Sequence, residues 1–333
     1  MTRNKRLWIS ALALAALALS GVVAACGSSS SNKLSLVAYS TPQEAYAEII
    51  PAFQKTTAGN GVSFSQSYGA SGDQERAVEA GLSADVVALS LAPDVNKLVK
   101  AGKVDANWDQ NKFKGFVTDS VVVFATRKGN PKNIKTWDDL LKPGIEVITP
   151  NPFTSGGARW NVMAAYGAQL QQGKTKQQAL AYLKQLFDHV PVQDKSAREA
   201  LQTFVGGKGD VLLAYENEAI TAQQKNVALD YIVPDQTILI ENPIAVASVS
   251  EHPEQAKAFL DFLWTDQAQK IYASKGYRSV NPALVDKSKY PTPSGLFKID
   301  KLGGWTTVND QFFDPSKGYL ASIEQDKGVP TEK

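Results

Sequence analysis

The chain has 333 residues, 43% of them hydrophobic and 20% charged, with 35 Lys+Arg against 33 Asp+Glu. That length is ample for one two-lobed fold or two domains stabilised by an apolar core. No long basic block interleaves with aromatics, so nothing marks a nucleic-acid surface, and a single cysteine excludes an internal disulfide.

Arg3, Lys5 and Arg6 precede an apolar stretch from Leu7 to Val23, and the small residues Ala24 and Ala25 lead into Cys26. This is the order of a secretory signal. The run Val23-Ala24-Ala25-Cys26 resembles a bacterial lipobox, which implies cleavage before Cys26 and lipid on its thiol. A retained signal anchor is the alternative, against which the stretch is short and alanine-rich. Residues 1–25 thus read as a signal peptide and 26–32 as a polar flexible tether. The mature protein is expected outside the cytoplasm, anchored to the membrane through Cys26. Loss of the signal's three basic residues leaves 32 Lys+Arg against 33 Asp+Glu, a net charge of about −1.

Strand-like and helix-like segments then alternate, as in an α/β fold around a largely parallel sheet. Leu34 to Tyr39 reads as a strand, and Thr41-Pro42-Gln43-Glu44 combines a capping Thr, a helix-opening Pro and a Glu three residues on. Val62 to Tyr68 and Asp85 to Leu89 are strand-like; between them Ser71 to Gln74 repeats the capping form. A helix over Pro93 to Ala101 precedes an apolar run, Ser120 to Thr126, that ends in the turn Lys128-Gly129-Asn130-Pro131. Gly144 to Thr149 is a strand. Helical spacing places Leu180, Leu183, Leu186 and Phe187 on one face, and later Ala256, Phe259, Leu260 and Leu263.

After the Gly144 to Thr149 strand, Ser155-Gly156-Gly157 opens a helix without side-chain bulk. A helix N-terminus leaves N–H groups unpaired, two glycines let a ligand reach them, and Ser155 adds a hydroxyl: such a step can hold an anion. Ser196-Ala197-Arg198-Glu199 is a capping box whose Ala197 N–H lies among the open donors of its first turn. Each cap by itself is ordinary helix punctuation; their repetition is what points to a ligand.

The blocks Gln66-Ser67-Tyr68-Gly69-Ala70-Ser71-Gly72, Thr149-Pro150-Asn151-Pro152, Ser155-Gly156-Gly157-Ala158-Arg159-Trp160-Asn161 and Glu216-Asn217-Glu218-Ala219 resemble the sulfate-binding proteins of ABC importers, in order and spacing, from about Leu34 to Phe313. The resemblance implies an α/β, two-lobed periplasmic binding protein type II fold with an anion in the cleft. It implies contacts from the Ser40 N–H, the Ser71 hydroxyl and N–H, the Ser155 hydroxyl, the N–H groups of Gly156, Gly157 and Ala197, and Tyr215, which stands in place of a tryptophan. It also implies an ABC permease with a cytoplasmic ATPase as partner. Lobe 1 is expected over 33–120 and 243–333 and lobe 2 over 121–242, with Ser120 to Thr126 and Leu239 to Val246 as crossovers. A C-terminal return between the lobes would blur that division.

Sulfate at neutral pH carries no proton, so a selective site presents donors and no carboxylate acceptor; phosphate keeps a proton that a carboxylate would accept. The contact set contains no Asp or Glu. Glu216 and Glu218 read as solvated or hinge positions, Trp160 as core, and Arg159 and Arg198 as arginines bonding carbonyls or carboxylates behind the loops. Tyr215 reads equally as donor or packing residue. His189 and His252 fall at element ends, and no nucleophile, metal or P-loop motif stands out, so no cofactor or metal is expected and a sulfuryl- or phosphoryl-transfer enzyme is a distant alternative. The expected protein is a monomeric sulfate receptor. Thiosulfate, molybdate and phosphate remain open as ligands.

Overall fold

The computed structural model describes residues 32–331. The expected signal peptide, Cys26 and the tether up to residue 31 lie outside the described residues. The first half of the fold runs β1 (Lys33–Tyr39), α1 (Gln43–Gln54), β2 (Ser63–Gly69), α2 (Ser71–Glu79), β3 (Val86–Ala88) and α3 (Ala92–Lys100). β2 and β3 flank β1 and both run parallel to it. Helices cover the two faces, so β1 and β3 are apolar nearly throughout.

The chain then crosses along β4 (Phe116–Arg127) into β5 (Val147–Ile148), α4 (Gly156–Gln171), α5 (Lys176–Asp188), α6 (Ala197–Val205), β6 (Val211–Tyr215), α7 (Glu216–Gln224) and β7 (Leu229–Ile232). It returns along β8 (Gln236–Val246) to α8 (Pro253–Leu263) and α9 (Asp266–Ser274), and ends through β9 (Gly295–Phe297), α10 (Gly304–Val308) and α11 (Tyr319–Asp326). The strand order is β2-β1-β3-β8-β4-β6-β5, with β7 on β4 and β9 on β8. β8 pairs with β3 through Ile244 to Val246 and with β4 through Leu239 to Pro243, while β4 continues onto β6 from Val122 to Thr126. Each long strand thus has one end in each half.

The parallel sheet expected from the sequence is a mixed one: β3–β8, β8–β4 and β4–β6 are antiparallel, because the two crossing strands run back past each other. The buried side chains follow the same division. Leu36, Tyr46, Phe53, Phe259 and Tyr272 share a core under β1 and β2; Phe124, Trp137, Trp160, Leu183 and Phe187 share another against α4 and α5. Phe297, Val308, Phe312, Phe313 and Leu320 belong to that second core. The sequence reading grouped all of 243–333 with the first half, yet the segment from β9 onward buries its aromatics against α4 and α5.

Two helix starts differ from the capping pattern for a common reason. α1 has Pro42 at its N-cap without a side-chain cap, since Thr41 Oγ1 pairs with Tyr277 Oη at 3.2 Å and Glu44 pairs with Arg198. α2 has Ala70 at its N-cap, and the Ser71 hydroxyl donates to Asp94 Oδ2 at 2.7 Å. Tertiary partners have taken the side chains that local capping would use.

Candidate functional site

α4 begins as its sequence dictates. Ser155 is the N-cap, its Oγ accepting from the Ala158 N–H at 3.3 Å, and Gly156 and Gly157 form the first turn. α6 begins at Ala197 behind a complete capping box, with the Ser196 N–H donating to Glu199 Oε2 and the Glu199 N–H to Ser196 Oγ. The N–H groups of Ser71, Gly156, Gly157 and Ala197 have no hydrogen-bond partner among the described residues. Ser155 Oγ accepts one bond and keeps its own proton.

These helix starts meet. A Cβ on Gly157 would lie 3.4 Å from Ser155 Oγ, 3.5 Å from Tyr215 Cε1 and 3.6 Å from Ala197 Cβ. Thr154 donates from Oγ1 to Lys195 O at 2.6 Å and accepts at its carbonyl from the Gly72 N–H at 3.1 Å, tying together the loops that open α2, α4 and α6. Arg198 donates to the Ser40 carbonyl from Nε (3.2 Å) and Nη2 (2.9 Å). Ser155, Gly157, Ala197 and Tyr215 thus lie together, Gly156 adjoins them, Ser40 is tied to the start of α6 through Arg198, and Ser71 opens the helix whose Gly72 is tied to the α4 loop; all but the half-buried Ala197 are buried. The positive ends of α2, α4 and α6 are thereby brought near one another, an arrangement that favours an anion among them.

Ser71 presents its N–H only: its hydroxyl donates to Asp94 and accepts from the Ser90 N–H at 2.9 Å. The hydroxyl contact that the resemblance implied is occupied by these protein partners. Tyr215 is both packed and polar. Its ring lies 6.4 Å from that of Tyr39, and its Oη is 2.7 Å from Ser90 Oγ. Burial pushes the Tyr215 phenol well above its ordinary range, so it stays protonated.

The two glutamates that follow Tyr215 are not solvated. Glu216 is 1% exposed and accepts from Arg278 Nε (2.8 Å) and Nη2 (3.1 Å). Glu218 caps α7 by accepting from the Tyr215 N–H at 3.1 Å. Burial raises the Glu218 carboxyl to about 7, against the pull of the Tyr215 N–H and of Arg198. The sequence reading took both as solvated or hinge positions, because nothing local announces their buried partners, Arg278 and the Tyr215 peptide.

Both arginines bond behind the loops as expected. Arg159 donates to Pro152 O (2.8 Å) and Asn309 Oδ1 (3.1 Å). Arg198 also makes a two-pronged pair with Glu44, at 2.9 and 2.7 Å, which Lys225 joins. Burial opposes the charge on Glu44, yet the Arg198 and Lys225 hydrogen bonds hold its carboxyl down at about 2. This network links α1 in the first half to α6 and α7 in the second. Trp160 is core, as expected, and its Nε1 also donates to Ser90 O at 3.0 Å. Of the histidines, His252 is the N-cap of α8, and His189 Nδ1 lies 2.8 Å from Ile145 O. Among the described residues no cluster of His, Cys, Asp or Glu could hold a metal ion, and no helix is long and apolar enough to cross a membrane.

Residues 34–278 match the family described as bacterial extracellular solute-binding protein. A sulfate-binding protein of Synechococcus elongatus is 41% identical over 97% of this chain and 97% of its own length. A thiosulfate-binding protein of Pseudomonas aeruginosa is 35% identical over 93% of this chain and 96% of its own. Among solved structures, the sulfate-binding protein SubI from Mycobacterium tuberculosis is 46% identical, covers 85% of this chain and 100% of its own, and superposes with a TM-score of 0.83.

Proposed function

The chain belongs to the bacterial extracellular solute-binding proteins, and we propose that it captures sulfate between its two lobes and delivers it to an ABC import permease driven by a cytoplasmic ATPase. One arrangement supports this reading: the starts of α2, α4 and α6 are tied together and offer N–H groups without a partner among the described residues, beside the Ser155 hydroxyl. The carboxylates that adjoin these loops are already engaged, Asp94 with Ser71 and Glu218 with the Tyr215 N–H. A proton-free dianion suits a set made of donors; singly protonated phosphate would leave its proton without an acceptor. Hydrogen bonds to a charged group contribute about 1.5–3 kcal/mol each. About seven of them offset much of the anion's dehydration and still leave the ~8 kcal/mol of a micromolar complex.

Thiosulfate is the second reading, favoured by Tyr215 in place of the indole and by the Pseudomonas relative. We place the hinge in β4 and β8 and group the segment from β9 onward with the second lobe. We further propose that the protein is not an enzyme, acts as a monomer and is held outside the cytoplasm by lipid on Cys26. Calorimetric titration of anion-stripped protein with sulfate, thiosulfate, phosphate and molybdate tests the ligand. Micromolar or tighter sulfate binding with phosphate at least a hundredfold weaker is expected; absence of any oxyanion heat from folded protein would overturn the reading.

A further inference from the structure

Ser90 sits on the turn between β3 and α3, facing Tyr215 at the end of β6, where α7 begins. Its backbone is pinned on both sides. The N–H donates to Ser71 Oγ at 2.9 Å, and the carbonyl accepts from Trp160 Nε1 at 3.0 Å and from Asn242 Nδ2 at 3.2 Å. The side chain is therefore held in place while its hydroxyl proton stays free to turn. Ser90 is 1% exposed, and its Oγ lies 2.7 Å from Tyr215 Oη.

Two hydroxyls joined by one hydrogen bond use one of their two protons. The other needs an acceptor, and among the described residues none is found. The adjoining Asn242 side chain meets the Tyr215 hydroxyl as a donor, pulling the phenol down against the effect of burial, while its carbonyl oxygen receives Thr118 Oγ1 at 3.3 Å. The pair also borders the open N–H groups. A Cβ on Gly156 would lie 2.8 Å from Ser90 Oγ, and one on Gly157 would lie 3.5 Å from Tyr215 Cε1. A buried hydroxyl proton without a protein acceptor, next to partnerless N–H groups, points to an acceptor supplied by a ligand.

We infer that Ser90 is a further binding-site residue, and that Ser90 and Tyr215 together form a two-hydroxyl donor whose spare proton reaches the bound anion and sets the preference between sulfate and thiosulfate. This rests on the proposed oxyanion site. The N–H directions at Ser71, Gly156, Gly157 and Ala197 are set by their helices, whereas a hydroxyl proton rotates. The sulfur of thiosulfate is larger than oxygen and a weaker acceptor, so it is best placed where the donor can turn aside. Removing the pair therefore costs sulfate more than thiosulfate.

The test is calorimetry with sulfate and with thiosulfate on the wild-type protein, Ser90→Ala, Tyr215→Phe and the double variant, each with its anion-free melting temperature. Either single variant keeps one hydroxyl. Each should lose sulfate affinity severalfold and the double variant about tenfold or more, while thiosulfate affinity falls by a clearly smaller factor in all three. Unchanged sulfate affinity in Ser90→Ala, or equal losses for both anions, would overturn the inference and leave the pair a structural contact between the lobes. Should Ser90→Ala fail to fold, Tyr215→Phe and its ratio of the two losses decide the matter. Wild-type protein that binds neither anion would instead sink the oxyanion reading itself.

Discussion

Gly157 separates the fold from the site more cleanly than any other position. An alanine Cβ there would stand 3.4 Å from Ser155 Oγ, 3.5 Å from Tyr215 Cε1 and 3.6 Å from Ala197 Cβ, all ordinary contact distances. The protein can hold that methyl group without moving. Alanine is also the better helix former, by up to about 1 kcal/mol in a helix interior, so anion-free Gly157→Ala should melt no lower than wild type. The methyl occupies the space through which an anion reaches the N–H groups of Gly156 and Gly157. Each lost bond to a charged ligand costs about 1.5–3 kcal/mol, and with both affected the sulfate affinity should fall at least about a hundredfold. Gly157→Leu fills the space entirely and should abolish binding. Calorimetry paired with thermal melting reads both effects. Sulfate affinity of Gly157→Ala within threefold of wild type would exclude this loop from the site, and a melting temperature lowered by several degrees would refute the claim of available space.

Gly156 should behave differently: its Cβ would come within 2.8 Å of Ser90 Cβ and 2.9 Å of Leu91 Cγ, so Gly156→Ala should cost about 1–3 kcal/mol of stability, read as a fall of several degrees in melting. Glu44→Gln removes the charge that Arg198 and Lys225 share between the halves; for this partly exposed pair a loss of about 1 kcal/mol should appear as a roughly fivefold faster sulfate release in stopped flow with association little changed. With its folded pKa near 2, below its ordinary 4.5, Glu44 contributes stability that is fully present above about pH 4.5 and is lost as pH falls toward 2. Glu218 has the opposite sign: raised to about 7, it holds a proton that the unfolded chain has lost, so stability should fall as pH rises from about 4.5 to 7, and sulfate binding should weaken as the charge forms. Glu218→Gln should flatten both profiles. Cys26→Ala should release the protein from the membrane fraction, and persistence there would count against lipid at that thiol.

Much of the candidate site was legible because its proposed contacts are backbone groups at helix starts, and helix starts carry local signals. Ser155-Gly156-Gly157 and the Ser196–Glu199 box could be read from a few residues and form as read. Thr41 and Ser71 carried the same kind of signal and misled, because Tyr277 and Asp94, far along the chain, claim their hydroxyls. Local propensity yields to such a partner when burial makes an unpaired hydroxyl costly. Ser90 was invisible for the same reason: it adjoins an apolar strand, and only the return of the chain at Tyr215, Trp160 and Asn242 gives it a role. The alternation of strands and helices revealed the layers but not the antiparallel pairs at the centre, since strand direction depends on which distant strands meet. Nor could periodicity show that Phe297 to Leu320 pack against α4 and α5.

Crystals of the protein loaded with selenate, a selenium analogue of sulfate, test the central claim most directly, because the anomalous signal locates the anion without reference to any assigned role. The account predicts a single selenium peak within hydrogen-bond reach, through its oxygens, of the N–H groups of Ser71, Gly156, Gly157 and Ala197 and of the Ser155 hydroxyl. A peak elsewhere, for example beside the Arg76, Lys97 and Arg159 side chains that line a separate cavity, with the helix starts left empty, would contradict it.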